Sequence, residues 1–165
     1  MDLGAAGLIE QPFPTHGKPL AVVTYQSQRD ALAILSETLE HPTGLSLLQG
    51  PALSGKSILV RSFRDSIDQE HAAAIVDGKG LNTTNLLLAI LRKFGYELDL
   101  SSANELLGLV RVFAMQQAAS GAPPLIIVEH AHELNPSGLR ALCELAELRV
   151  RSGSALKIVL VSDRS

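Results

Sequence analysis

The clearest chemistry in the sequence lies in eight consecutive residues, Gly50-Pro51-Ala52-Leu53-Ser54-Gly55-Lys56-Ser57. Two glycines with four residues between them are followed directly by a lysine and a hydroxyl, the pattern G-x-x-x-x-G-K-[ST]. A loop of this length wraps backbone N–H groups around phosphates, and a helix opening behind it adds the positive end of its dipole. Gly50 and Gly55 allow backbone angles that a side chain would forbid. Lys56 would reach the outer phosphates, and the Ser57 hydroxyl would hold Mg²⁺. With Ile58, the next residue of the helix, this segment is the candidate nucleotide-binding element.

A site of this kind needs a second part, an acidic residue at the end of a buried strand that holds Mg²⁺, usually through water. Leu125-Ile126-Ile127-Val128-Glu129 supplies it: four apolar residues, then a carboxylate at the strand's C-terminal end. Ligands bind at that end of the strands in open α/β sheets. Ser57 and Glu129 are therefore the candidate Mg²⁺ pair.

The elements that must position these residues are readable from periodicity. Apolar residues recur at helical spacing from Gln26 to Leu39; Ser27 is a candidate cap, and His41-Pro42 stops the helix. Residues 44–49 read as a strand, 55–67 as a helix, 72–76 as a strand closed by Asp77-Gly78, and 84–94 as a leucine-rich helix ended by Gly95. Ser101 opens a helix to about Ala119, with Glu105 four residues later rather than the three of a strict capping box. Residues 120–124 break the chain, 125–128 form a strand, Pro136 starts a helix ending near Val150, and 156–161 form the last strand. Strands alternating with helices predict a three-layer α/β fold with a mostly parallel sheet. Residues 1–24, with three prolines and three glycines before Leu20, read as an irregular arm, and 25–165 as a single nucleotide-binding domain.

Composition agrees. The 165 residues hold 46% hydrophobic and 19% charged side chains, which suits a packed core and argues against intrinsic disorder. Aromatics are 4% and tryptophan is absent, so aliphatic residues must fill that core. A net charge of −3 and the lack of an aromatic–basic groove argue against nucleic acid as the partner. Cys143 is the only cysteine, which excludes an internal disulfide and a cysteine-rich zinc cage. No run approaches the roughly 20 apolar residues of a membrane span. The first four residues, Met1-Asp2-Leu3-Gly4, lack the basic start of a signal peptide, so a cytoplasmic location is expected.

Beyond these residue-level readings, the chain resembles the AAA+ ATPases of the ExeA/GspA general-secretion type, a broad group that also holds transposition-helper ATPases. The matching pieces are Pro12-Phe13, the helix around Gln28–Leu32, the loop Gly50–Ser57, Leu87–Gly95, Leu125–Leu134 and Ile158–Val161. The resemblance implies an AAA+ core that binds ATP or ADP with Mg²⁺. It also implies assembly with itself or with proteins of a membrane complex such as a secretion or pilus machine. Attachment at the inner face of a bacterial inner membrane would come from regions outside this chain.

The departures from that family are specific. Its strand ends Asp-Glu-Ala-Gln-Asn/Glu-Leu, whereas here the run is Glu129-His130-Ala131-His132-Glu133-Leu134. Glu129 thus stands for the Mg²⁺-associated aspartate, and His130 takes the place of the water-polarising glutamate. An imidazole cannot supply a carboxylate's field, although it can accept a proton. The expectation is nucleotide binding with weakened hydrolysis, Glu133 being another nearby carboxylate that could compensate. Ser162 and Asp163 fall at the polar sensor position. The fifth core strand, arginine finger and helical lid of the family are lacking, so the chain reads as an excised part of a longer protein; Arg149, Arg151 and Arg164 read as surface residues.

Two alternatives follow: a pseudo-ATPase scaffold with a degenerate site, and a DNA-associated transposition helper. Three smaller features read as structural. The cluster Glu129-His130-x-His132-Glu133 suits a metal only if it stays extended. Cys143, among Leu139, Leu142, Leu145 and Ala146, reads as buried. Arg61 and Arg64 read as a solvated helix face.

Overall fold

The computed structural model describes residues 26–67, 71–98, 102–151 and 153–163. The arm predicted for residues 1–24 lies outside these. The elements are α1 (Gln26–Glu40), β1 (Leu45–Gly50), α2 (Lys56–Ser66), β2 (Ala73–Asp77), α3 (Thr83–Lys93) and α4 (Ala103–Ala119). Then come β3 (Leu125–Glu129), a 3-10 turn at Ala131–Glu133, α5 (Pro136–Ala146), β4 (Arg149–Val150), β5 (Gly153–Ser154) and β6 (Lys157–Asp163).

Four strands pair in parallel in the order β1-β6-β3-β2. The middle of the sheet is the most apolar part of the chain. Leu125 to Val128 of β3 and Ile158 and Val159 of β6 are fully buried, as strands covered on both faces require. Side chains alternate along each strand. Leu125, Ile127, Val159 and Val161 therefore pack with Leu35 of α1 and Leu59, Val60 and Phe63 of α2. Ile126, Val128, Ile158 and Leu160 pack on the other face with Leu86, Leu87, Ile90 and Leu91 of α3, Leu106 and Val110 of α4 and Leu142 and Leu145 of α5. This is the three-layer arrangement the alternation of elements predicts. The α3 leucine stripe is core, with Phe94 packed at its margin against Phe113, ring centroids 4.6 Å apart.

Four local expectations change. Ser102, not Ser101, caps α4, and the box is a strict one. Its Oγ accepts from the Glu105 N–H (3.3 Å), and Glu105 Oε2 accepts from the Ser102 N–H (2.8 Å). Helix α5 stops at Ala146 instead of near Val150. There Arg149 Nη1 donates to the Ala146 and Leu148 carbonyls, satisfying helix-end acceptors, and residues 149–150 turn into a short antiparallel pair with 153–154. Cys143 is exposed, not buried. Its neighbours Leu142 and Leu145 face the core, and Cys143 falls on the other side of the helix. Ser27 lies inside α1 rather than capping it.

The strand C-termini share one edge of the sheet because all four strands are parallel. Gly50, Asp77, Glu129 and Asp163 are the last residues of β1, β2, β3 and β6. Among the described residues, no helix is long and apolar enough to cross a membrane.

Candidate nucleotide-binding site

The residues between β1 and α2 form the loop the sequence predicts. Pro51 to Ser54 are exposed, Leu53 takes the left-handed conformation (φ 60°), and Gly55 opens α2 at φ 84°. The helix begins at Lys56, so the N-terminal N–H groups of α2 sit directly behind the loop. A cleft of about 390 Å³ lies over it, lined by Ala52 to Ile58 together with Glu129, His130, Val161 and Asp163. A smaller cleft of about 170 Å³ adjoins it between the loop and α1, where Ser27, Gln28 and Ala31 contribute.

Lys56 is held across its own loop. Its Nζ donates to the carbonyls of Gly50 (3.1 Å) and Pro51 (2.5 Å) and to Ser54 Oγ (3.3 Å), and it pairs with Asp163 Oδ1 at 2.8 Å. The hydrogen bond from this ammonium holds the Asp163 carboxyl below the usual carboxylate range, outweighing an opposing desolvation.

The carboxylates at the other strand ends differ. Glu129 is half-buried, and its Oε1 is buried without a hydrogen-bond partner. A buried lone carboxylate oxygen is costly unless something positive reaches it. Glu129 lines the same cleft as Ser57, and its orphaned oxygen fits the Mg²⁺ that a phosphate loop implies; Ser57 and Glu129 are the residues that would hold it. The ion would neutralise phosphate charge there.

His130 adopts a left-handed conformation (φ 52°), uncommon for a non-glycine residue. Its Nδ1 lies 2.8 Å from Asp77 Oδ1. Asp77 ends β2 in register with Glu129. Desolvation is the largest single influence on Asp77 and pulls its pKa upward. The His130 hydrogen bond, the Lys79 N–H and the nearby charges together hold it below its ordinary value. A carboxylate can only accept, so Nδ1 carries the shared proton, and Nε2 is the ring's remaining nitrogen, able to accept whenever the ring is uncharged. Asp77 is the site residue that sequence reasoning passed over. It was visible there only as the polar end of a strand, and its pairing with His130, 53 positions away, is a product of the sheet.

The remaining predicted residues separate. Ser162 Oγ donates to the Asp163 carbonyl (3.1 Å) and does not line the cleft, whereas Asp163 does. Glu133 sits 3.6 Å from Lys79 Nζ and 3.7 Å from His132 Nε2, away from the cleft lining. The 130–133 segment is a tight turn rather than extended, and His132 Nδ1 accepts from the Asp163 N–H (3.3 Å). Arg61 and Arg64 are exposed on α2, and Arg64 pairs with Asp65.

A phosphate loop between the first strand and helix, facing acidic ends of parallel strands, defines a P-loop nucleotide-binding domain. Residues 39–165 match the family described as AAA domain, and the chain belongs to that family. It is 28% identical over 156 residues to General secretion pathway protein A of Aeromonas hydrophila. That alignment takes 94% of this chain and 28% of the relative, so the chain spans less than a third of the curated protein it matches. Among solved structures it is similar to Cdc6p of Pyrobaculum aerophilum, with TM-score 0.67, 18% identity, and 89% of this chain and 42% of that one covered. It is also similar to the ORC2 protein of Aeropyrum pernix, solved in ADPNP–ADP complexes, with TM-score 0.63, 16% identity and coverage of 91% and 44%. At these identities the likeness shows the fold, that of the AAA+ P-loop ATPases.

Proposed function

We propose that this chain is an ATP-binding AAA+ module, hydrolysing weakly at best, whose nucleotide state governs assembly of a membrane-associated complex such as a secretion or pilus machine. The observation that carries the nucleotide reading is the cleft itself. Loop, helix start, Lys56, Ser57 and Glu129 all line one cleft of about 390 Å³, and Glu129 carries a buried oxygen with no partner. The similar ORC2 protein of Aeropyrum pernix was solved in ADPNP–ADP complexes. The secretion context rests on the likeness to General secretion pathway protein A. The site would face the cytoplasm, with any membrane attachment supplied by other segments.

In this reading Lys56 binds phosphate, Ser57 and Glu129 hold Mg²⁺, and His130 stands at the water. With Nδ1 held by Asp77, the ring offers Nε2 as a proton acceptor, but it brings no negative charge to the water. That supports slow turnover. The same arrangement favours a second reading, a nucleotide-gated scaffold without turnover. The partner would be protein, since the chain carries a net charge of −3.

The test is calorimetric titration of ATP and ADP with Mg²⁺ on the wild type and on Lys56→Ala, followed by turnover on the same samples. Lys56→Ala is expected to weaken binding by about 10- to 100-fold, the worth of a hydrogen bond to a charged group. His130→Glu is expected to raise turnover. No binding at millimolar nucleotide would overturn the reading. Sedimentation with and without ATP would show nucleotide-dependent association, and DNA binding in low salt, where phosphate contacts are strongest, would overturn the protein-partner choice.

A further inference from the structure

The lysine that a phosphate would need is already engaged. An ammonium has three protons, and Lys56 Nζ faces four acceptors: two carbonyls, one hydroxyl and the Asp163 carboxylate. Asp163 is the one anion among them. It is there because β6 lies beside β1 and ends level with the first loop residue, Gly50. Its own N–H is tied to His132 Nδ1 at 3.3 Å. The Asp163 side chain is 38% exposed and lines the cleft; that of Lys56 is 12% exposed.

We propose that Asp163 sets the site's preference between nucleotides, favouring a nucleoside diphosphate over a triphosphate by holding the place on Lys56 that a terminal phosphate would take. This inference rests on the nucleotide-binding reading above. A loop of this kind cradles the inner phosphates with backbone N–H groups, and its lysine reaches the second phosphate and the third. A third phosphate must therefore enter the end of the cleft where Glu129, His130 and Asp163 gather. A phosphate oxygen hydrogen-bonded to Lys56 Nζ would lie within two bond lengths of Asp163 Oδ1, about 6 Å at most. Like charges that close repel, more so in a partly enclosed cleft than in open water. Mg²⁺ on Ser57 and Glu129 would offset the Glu129 charge, but Asp163 keeps its charge beside the lysine. A diphosphate ends before this point and meets less of the repulsion.

The experiment measures dissociation constants for ADP and for a non-hydrolysable ATP analogue, both with Mg²⁺, on the wild type, Asp163→Asn and Asp163→Ala. The wild type is expected to prefer ADP. Both variants are expected to tighten the triphosphate analogue about tenfold while moving ADP less than about threefold, the signature of a removed like charge. Raising the salt is expected to narrow the wild-type preference, because a half-exposed charge is screened; this arm needs no variant to fold. Wild-type ADP binding with an unchanged triphosphate-to-diphosphate ratio in both variants would overturn the inference while leaving the nucleotide reading intact. So would equal changes for both ligands, or a salt-independent preference. Absence of binding by either nucleotide to any of the three proteins would overturn the nucleotide reading and this inference with it.

Discussion

Gly50 and Asp163 are partners on the last rung of the parallel ladder between β1 and β6. This rung joins two segments more than a hundred residues apart and brings the start of the phosphate loop level with a carboxylate. Lys56 closes the arrangement, bonding to the Gly50 carbonyl at 3.1 Å and to Asp163 at 2.8 Å. The ladder between β2 and β3, at the opposite edge of the sheet, does the same, setting Asp77 level with Glu129 and within reach of His130. The site is thus an outcome of strand order as much as of motif.

The loop's backbone can be tested at two positions of opposite sign. Gly55 sits at φ 84°, and a Cβ there would come 2.9 Å from Gln28 Nε2. Gly55→Ala is expected to cost about 1–2 kcal/mol from the left-handed conformation alone, read as a lower urea midpoint. Leu53 holds φ 60° while fully exposed, so it bears a similar strain and buries nothing. Leu53→Gly is expected to be neutral or to stabilise by up to about 1 kcal/mol in the same assay.

Gly44 precedes β1 in a crowded place. A Cβ would overlap the Ala146 carbonyl oxygen and approach Ser154 Oγ to 2.5 Å, where that hydroxyl is bonded to the Leu156 carbonyl. Both neighbours are fixed, one by a helix end and one by a short strand. Gly44→Ala is expected to destabilise by about 1–3 kcal/mol, the range for overpacking, with a lower thermal midpoint.

The capping box at α4 predicts a dependence on pH. The hydrogen bond from the Ser102 backbone N–H, with that from its hydroxyl, lowers the Glu105 pKa below its usual 4.5. A carboxylate lowered in the folded state contributes stability above its unfolded pKa and loses it as pH falls through the folded value. Wild type and Glu105→Gln are therefore expected to differ in urea midpoint at pH 7, and the gap is expected to shrink as pH falls below the unfolded carboxylate value of about 4.3. A constant gap across that range would remove Glu105 ionisation as the cause. Ser102→Ala is expected to cost about 1 kcal/mol at neutral pH.

Cys143 is accessible on the outer side of α5. One thiol per chain is expected to react with a disulfide reagent in the native protein, at a rate that denaturant raises only modestly. Protection until unfolding would instead place it in the core.

Local patterns in the sequence determined a great deal. The G-x-x-x-x-G-K-[ST] spacing, the solid apolar run of Leu125–Val128 and the helical leucine period of Leu86–Leu91 each specify their element through short-range sterics and burial. The order of these elements then specified a parallel α/β fold. The errors were local too, and two of them turned on a side-chain bond that periodicity does not contain. Arg149 capping its own helix ended α5 early, and Ser102 rather than Ser101 matched Glu105. What only the tertiary structure decided was which polar residues meet. Register set Asp163 on Lys56 and Asp77 on His130, left Glu129 Oε1 without a partner, and sent Ser162 and Glu133 elsewhere. The physical reason is that hydrogen bonds between strands are backbone bonds and carry no side-chain code. The meeting of two distant side chains follows from strand order and register, which the whole core settles at once.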